Sequence, residues 1–136
     1  MKKRILVVLM LFSAAALIQG CIVAAVGAGA VGTMAYVKGD LESVEDANIE
    51  VVYKATVKAI KDLDLTLTMT EKDALSAQIG ARDAQDKKIT IKLKAVSGGT
   101  TKISVRVGTF GDETKSRLIY EAIQKNISSI SESSGN

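Results

Sequence analysis

After Asp62-Leu63-Asp64 the chain changes its hydrophobic period from that of a helix to two, and keeps it until Val107. Leu65, Leu67 and Met69 alternate with Thr66, Thr68 and Thr70, and Leu75, Ala77, Ile79 and Ala81 with Ser76, Gln78, Gly80 and Arg82. Ile89, Ile91, Leu93 and Ala95 then alternate with Lys88, Thr90, Lys92 and Lys94, and Ile103, Val105 and Val107 with Lys102, Ser104 and Arg106. Period two puts every second side chain on one face of a strand, so each segment has one apolar and one polar face. Breaks at Glu71-Lys72-Asp73, Asp83-Ala84-Gln85-Asp86 and Ser97-Gly98-Gly99-Thr100 are too short for parallel crossovers. The pattern therefore predicts an antiparallel meander with one buried face.

Helical patterns flank the meander. Ile49, Val52, Tyr53, Thr56, Ile60 and Leu63 share one helical face behind a capping-box spacing at Ser43-Val44-Glu45-Asp46, with Glu50 and Lys54 spaced for an ion pair. Leu118, Ile119, Ala122, Ile123 and Ile127 share another, with Asp112 as the expected N-cap. From Met34 to Glu42 a further alternation reads as one first strand. The expected architecture is α+β, in the order strand, helix, meander, helix. An antiparallel sheet of four or five strands would carry both helices on one face.

The N-terminal quarter is different in kind. Met1-Lys2-Lys3-Arg4 is basic, and the fourteen residues Ile5 to Ile18 are apolar apart from Ser13. That run is shorter than the roughly 20 residues a membrane-spanning helix needs. Leu17-Ile18-Gln19-Gly20 then leads to Cys21, the only cysteine. A basic start, an apolar run and small residues before a cut make an export signal. With cysteine next, the segment resembles a bacterial lipoprotein signal. That resemblance implies cleavage before Cys21, a diacylglycerol thioether on its sulfur and an acylated amino group. It also implies a periplasm-facing protein held to the membrane, the outer membrane in preference to the inner because Ile22, not aspartate, follows the cysteine. Residues 1–20 are then the signal peptide, 21–33 the lipidated cysteine and a Gly/Ala-rich tether, 34–128 one α+β domain and 129–136 a flexible tail. Within the tether Gly27-Ala28-Gly29-Ala30-Val31-Gly32 spells G-x-G-x-x-G. Without a preceding strand and a βαβ unit it is not read as a nucleotide site.

Three of the 18 basic residues precede Cys21 and all 15 acidic ones follow it, so the chain from Cys21 onward is formally neutral. Net charge therefore gives no reason to expect a nucleic-acid partner. With no histidine, His-ligated metal sites and Ser-His-Asp triads are excluded. One cysteine permits no intramolecular disulfide.

The chain resembles a family of small bacterial lipoproteins catalogued as a domain of unknown function. The residues that carry the likeness are Gly20-Cys21 with the Gly/Ala tract, Ala35-Tyr36-Val37-Lys38-Gly39-Asp40-Leu41-Glu42, Val52-Tyr53-Lys54-Ala55-Thr56, Lys72-Asp73-Ala74-Leu75 and Thr101 to Glu113. The resemblance implies location and fold class and assigns no activity.

The outward face of the predicted sheet carries Arg82, Lys88, Lys92, Lys94, Lys102 and Arg106, interleaved with hydroxyl side chains and no carboxylate. These six cations are the candidate anion-binding residues, for a lipid headgroup or a glycan phosphate. Equally, lysines on an exposed sheet face discourage edge-to-edge aggregation. Gly108-Thr109-Phe110-Gly111, ahead of a helix, could form an anion nest, though Asp112 and Glu113 already supply negative charge there. Asp62 and Asp64 flank Leu63 and are the other acidic pair considered for acid–base work or a weak cation. No acid, base and nucleophile come together in the pattern, so no catalytic residue, metal or cofactor is expected beyond the acyl chains on Cys21. The expectation is a non-enzymatic envelope adaptor or structural module with an envelope protein as partner. The alternative is a binding module for an anionic lipid or glycan.

Overall fold

The computed structural model describes residues 32–96 and 99–134, together with Met1 and Lys3. Cys21, the apolar run before it, most of the tether and the Ser97-Gly98 part of the expected hairpin lie outside the described residues. Among the described residues eight elements follow one another: β1 (Met34–Val37), β2 (Asp40–Glu45), α1 (Ile49–Asp62), β3 (Thr66–Lys72), β4 (Ser76–Arg82), β5 (Lys88–Ala95), β6 (Thr101–Val107) and α2 (Glu113–Ser134). The class is α+β, with six strands rather than the four or five expected. The strands pair antiparallel in the order β1-β2-β6-β5-β4-β3. The meander β3 to β6 is consecutive, and a hairpin of β1 and β2 extends it beyond β6.

The extra strand comes from a turn inside the segment read as one strand. Lys38 and Gly39 both have positive φ, 51° and 89°, as a two-residue type I′ turn requires. Tyr36 thereby faces Leu41 across the hairpin. In a continuous strand an odd separation would put these two on opposite faces; across a hairpin they share one. Leu41 is buried in the core with Tyr36 packed against it.

The same hairpin displaces the expected capping box. Ser43 and Glu45 lie in β2, and Asn48 caps α1, its Oδ1 accepting from the Val51 amide at 3.1 Å. Glu50 does not pair with Lys54 but takes the ammonium of Lys72 on β3. Asp112 takes the N-terminal position of α2 as expected, its Oδ1 accepting from the Lys115 amide at 3.1 Å. Helix α2 continues past Ser128, so residues 129–134, assigned to a flexible tail, are helical to Ser134. No helix among the described residues is long and apolar enough to cross a membrane.

The helices cover one face of the sheet side by side, packed on each other, with α2 over β2 and β6 and α1 over β3, β4 and β5. Ile79, Ile91, Ile103, Val105 and Ile123 are among the fully buried side chains between the layers. Burying a side chain of this size is worth about 1.5–3 kcal/mol, so this layer is the main source of stability. Tyr120, absent from the expected helix face, is buried, whereas Leu118 is 52 % exposed.

At the end of β3 before its bulge Leu67 faces Ala81, but past it Met69 faces Gly80 and Thr70 faces Ile79. The bulge between Leu67 and Met69 inverts the expected faces: Thr70 turns to the helix side, and Met69 to the open side. Gly80 accommodates this, since a Cβ there would lie 3.3 Å from that of Met69.

Candidate interaction surface

Cross-strand register sets the open face. Arg106 of β6 stands between Thr90 of β5 and Asp40 beside β2's first pair, Ser104 between Lys92 and Glu42, and Lys102 between Lys94 and Val44. On the other side of β5, Lys92 faces Gln78, Lys94 faces Ser76 and Lys88 faces Arg82, while Glu71 of β3 faces Gln78. All six candidate cations do lie on this face, but the absence of carboxylates expected there does not hold. The strand beside β6 contributes Asp40 and Glu42, and the bulge brings Glu71.

Three of the six cations are paired. Lys102 Nζ lies 3.0 Å from Glu42, Arg82 Nη1 lies 3.0 Å from Asp86, and Arg106 grips Asp40. Lys88, Lys92 and Lys94, all on β5, make no ion pair among the described residues. The positive excess of the face is therefore a stripe along one strand rather than a general property of the surface.

Arg106 is better described as a strut. Its Nε donates to Asp40 Oδ1 at 2.7 Å, and its Nη2 donates to Asp40 Oδ2 at 3.0 Å and to the Lys38 carbonyl at 2.9 Å. Its Nη1 donates to the Thr109 carbonyl at 3.3 Å. One guanidinium thus joins the β1–β2 turn to the loop after β6, in the bidentate geometry that suits arginine and carboxylate. The hydrogen bond from Arg106 holds the Asp40 carboxyl below the usual range against the opposing effect of burial, with the charges of Arg106 and Lys92 adding to it.

The two segments also meet backbone to backbone. A Cβ on Gly39 would lie 2.6 Å from the Phe110 carbonyl oxygen. One on Gly111, which has φ 86°, would collide with the Gly39 backbone and the Tyr36 hydroxyl. No larger residue fits either position without moving the partner segment. The turn Lys38-Gly39 and the loop Gly108–Gly111 therefore interlock as a clasp. At its tip Phe110 stands 92 % exposed.

The anion nest considered for this loop is already filled. Asp112 sits at the amides of the α2 N-terminus and also takes the ammonium of Lys87 at 3.4 Å. The Lys115 amide is the main cause that lowers the Asp112 pKa. Alongside, Lys115 Nζ donates to Asp83 Oδ2 at 2.6 Å and ties α2 to the β4–β5 turn.

Asp62 and Asp64 are not brought together as a site. Asp62 accepts from Asn126 at 2.9 Å and lies 3.7 Å from Lys58, which clamps α1 to α2. Asp64 adopts positive φ in the turn that follows the helix. A buried polar cluster that the sequence reading missed joins Ser43, Glu45 and Tyr120. Ser43 Oγ lies 2.8 Å from the Tyr120 hydroxyl and donates to Glu45 at 3.1 Å, and the Tyr120 hydroxyl donates to the same carboxylate. Burial and the adjoining Glu45 push the tyrosine pKa far up, so its hydroxyl stays a donor. These side chains lie between sheet and helix, away from the open face.

The clasp joins two of the segments that carry the family likeness, Ala35 to Glu42 and the Gly108 to Glu113 end of the other. The signal for it was the Lys38-Gly39 pair, which fits a hairpin turn but sits inside a pattern that reads as uninterrupted alternation. No curated protein matches the chain. The chain belongs to the family described as protein of unknown function (DUF3568), which matches residues 4–126.

Proposed function

We propose that this is a bacterial envelope lipoprotein held to the membrane by acyl chains on Cys21, facing the periplasm. Its α+β domain acts as a non-enzymatic adaptor that docks an envelope protein through the clasp. The observation that carries this reading is Phe110, a large aromatic left almost wholly in water on a loop whose backbone is held by Gly39, Gly111 and Arg106. Exposed aromatic side chains on pre-ordered loops suit protein contacts, because little further conformational entropy is lost on binding. More than one acyl chain on Cys21 makes a stable anchor, where a single chain binds only marginally.

In-cell photo-crosslinking from position 110, with purification from membranes, tests the docking. A discrete protein adduct that disappears when Gly111→Ala opens the clasp supports it. A folded, membrane-bound protein that gives no adduct rejects it. Cys21→Ala should release the protein from the membrane fraction, and retention there would reject the anchor.

A second reading has its own observation. Lys88, Lys92 and Lys94 form a row of cations without ion pairs among the described residues, and an anionic lipid headgroup or glycan could neutralise it. Charge reversal at Lys92 and Lys94 should abolish such binding while leaving the domain folded. Arg106 is unsuitable for that test because its reversal would also open the clasp.

A further inference from the structure

The strand registers give the sheet two distinct ends. Met34, Glu45, Lys72, Ser76, Ala95 and Thr101 lie at one end; Val37, Asp40, Arg82, Lys88 and Val107 lie at the other, with the clasp. The chain enters the sheet at the first end, where the Gly32 amide donates to the Val44 carbonyl at 2.8 Å. Two turns there present apolar side chains to water. Leu75 is 69 % exposed and Val96 46 % exposed, and the strand ends that carry them are joined by the Ala95 amide donating to the Leu75 carbonyl at 2.8 Å.

We infer that this end, through Leu75 and Val96, rests in the headgroup layer of the membrane that holds Cys21, so that the clasp points away from it. The inference rests on the anchored reading above and adds an orientation and a lipid-contacting surface to it. The length of chain between anchor and domain supports it. Ten residues, eleven peptide steps, separate Cys21 from Gly32, a reach of about 40 Å at full extension. A seven-residue strand is about 23 Å long. To bring the clasp end down, the leash would have to run back past the whole sheet and consume more than half its reach. The entry end needs no such detour.

Charge at the tip is compatible with an anionic surface. Lys94, beside this turn, makes no ion pair among the described residues. The neighbouring carboxylate of Asp73 is engaged by the turn itself, accepting from the amides of Leu75 and Ser76 and from the Ser76 hydroxyl, each at 2.8 Å. Asp46, the exposed acid following β2, is two strands away from β5. Apolar tips flanked by lysine are the usual chemistry of a shallow interfacial contact.

The chain has no tryptophan, so single replacements give a background-free depth probe. Leu75→Trp, Val96→Trp and Phe110→Trp would be made in the lipidated full chain. Each would be reconstituted into phosphatidylethanolamine–phosphatidylglycerol vesicles with brominated acyl chains. Insertion of a side chain about 5–10 Å deep predicts blue-shifted emission and roughly two-fold or greater quenching at 75 and 96, and neither at 110. Equal weak quenching at all three positions, or the strongest at 110, overturns the orientation while leaving the anchor intact. Protein that fails to float with the vesicles overturns the anchored reading itself, and this inference with it.

Discussion

The two ends of the sheet are closed by opposite chemistry. At the clasp end, glycine backbones touch and half-buried ion pairs surround them: Arg106 with Asp40, Lys115 with Asp83, Lys87 with Asp112. At the entry end a polar cluster is buried, with Ser43, Glu45 and Tyr120 bonded to one another and Thr101 Oγ1 donating to the Ala47 carbonyl at 2.8 Å, while Leu75 and Val96 stand exposed at the tips. Surface ion pairs contribute little each, so the clasp depends on steric fit and on how many short links share it. The buried cluster depends on every partner being present, because a polar group left unpaired in the core costs its full desolvation. One end is built to hold a shape in water. The other buries a polar cluster beneath a surface where Leu75 and Val96 stand exposed among charged neighbours.

The largest effect should come from breaking the fit at the clasp. Gly111→Ala places a methyl against the Gly39 backbone in a conformation that L-residues avoid, and should cost about 3 kcal/mol or more in chemical denaturation. A loss below about 1 kcal/mol would mean that the two segments part easily, and the clasp would not be rigid. Next comes the buried cluster. Tyr120→Phe removes one donor from Glu45 while the core keeps its volume, and should cost about 1–3 kcal/mol. Because the change leaves the clasp intact, crosslinking from position 110 should persist at temperatures where the variant remains folded.

The core was legible because burial repeats with the period of the backbone. Ile89, Ile91 and Leu93 on β5 and Ile103, Val105 and Val107 on β6 are all buried, as strict alternation requires. The bulge in β3 was not legible: Thr66, Thr68 and Thr70 suit either face of a strand, so the pattern cannot register a one-residue slip. Nor was the hairpin, because Tyr36 packs inward by its ring while its hydroxyl made it count as polar. The candidate site was read from the meander alone, without the strand that lies beside β6. Alternation placed six cations on one face, but whether Arg106 was free depended on Asp40, paired with it across a separation of 66 residues. No local pattern carries that information.

Acid tests the clasp in another way. The Asp40 pKa is lowered in the folded protein, so the folded state binds fewer protons than the unfolded chain just below the ordinary carboxylate value. Its contribution is complete above about pH 4 and is lost as pH falls through the lowered value. Asp40→Asn should therefore be less stable than the parent at neutral pH, with the gap closing as acid protonates Asp40 in the parent. The acids at Asp83 and Asp112 are lowered too, so the variant should flatten only part of the acid limb. A gap that stays constant from pH 7 to about pH 2 would mean that Asp40 acts through shape and not through its charge.

The smallest expected effect is the one most specific to the entry end. Leu75→Ser with Val96→Ser removes two apolar side chains that the fold leaves 69 % and 46 % exposed. Exposed positions without caps, cavities or buried partners usually change stability by less than about 0.5 kcal/mol. The Asp73 hydrogen bonds to this turn use the backbone of Leu75 and are untouched by the change. Folding therefore gives no reason for these apolar tips, whereas each buried apolar residue of β5 and β6 has one. If the double variant instead loses as much stability as a core truncation, the tips pack within the domain and are no free surface. If it keeps its stability but tryptophan at position 110 becomes accessible to brominated lipid, the tips set which end meets the membrane.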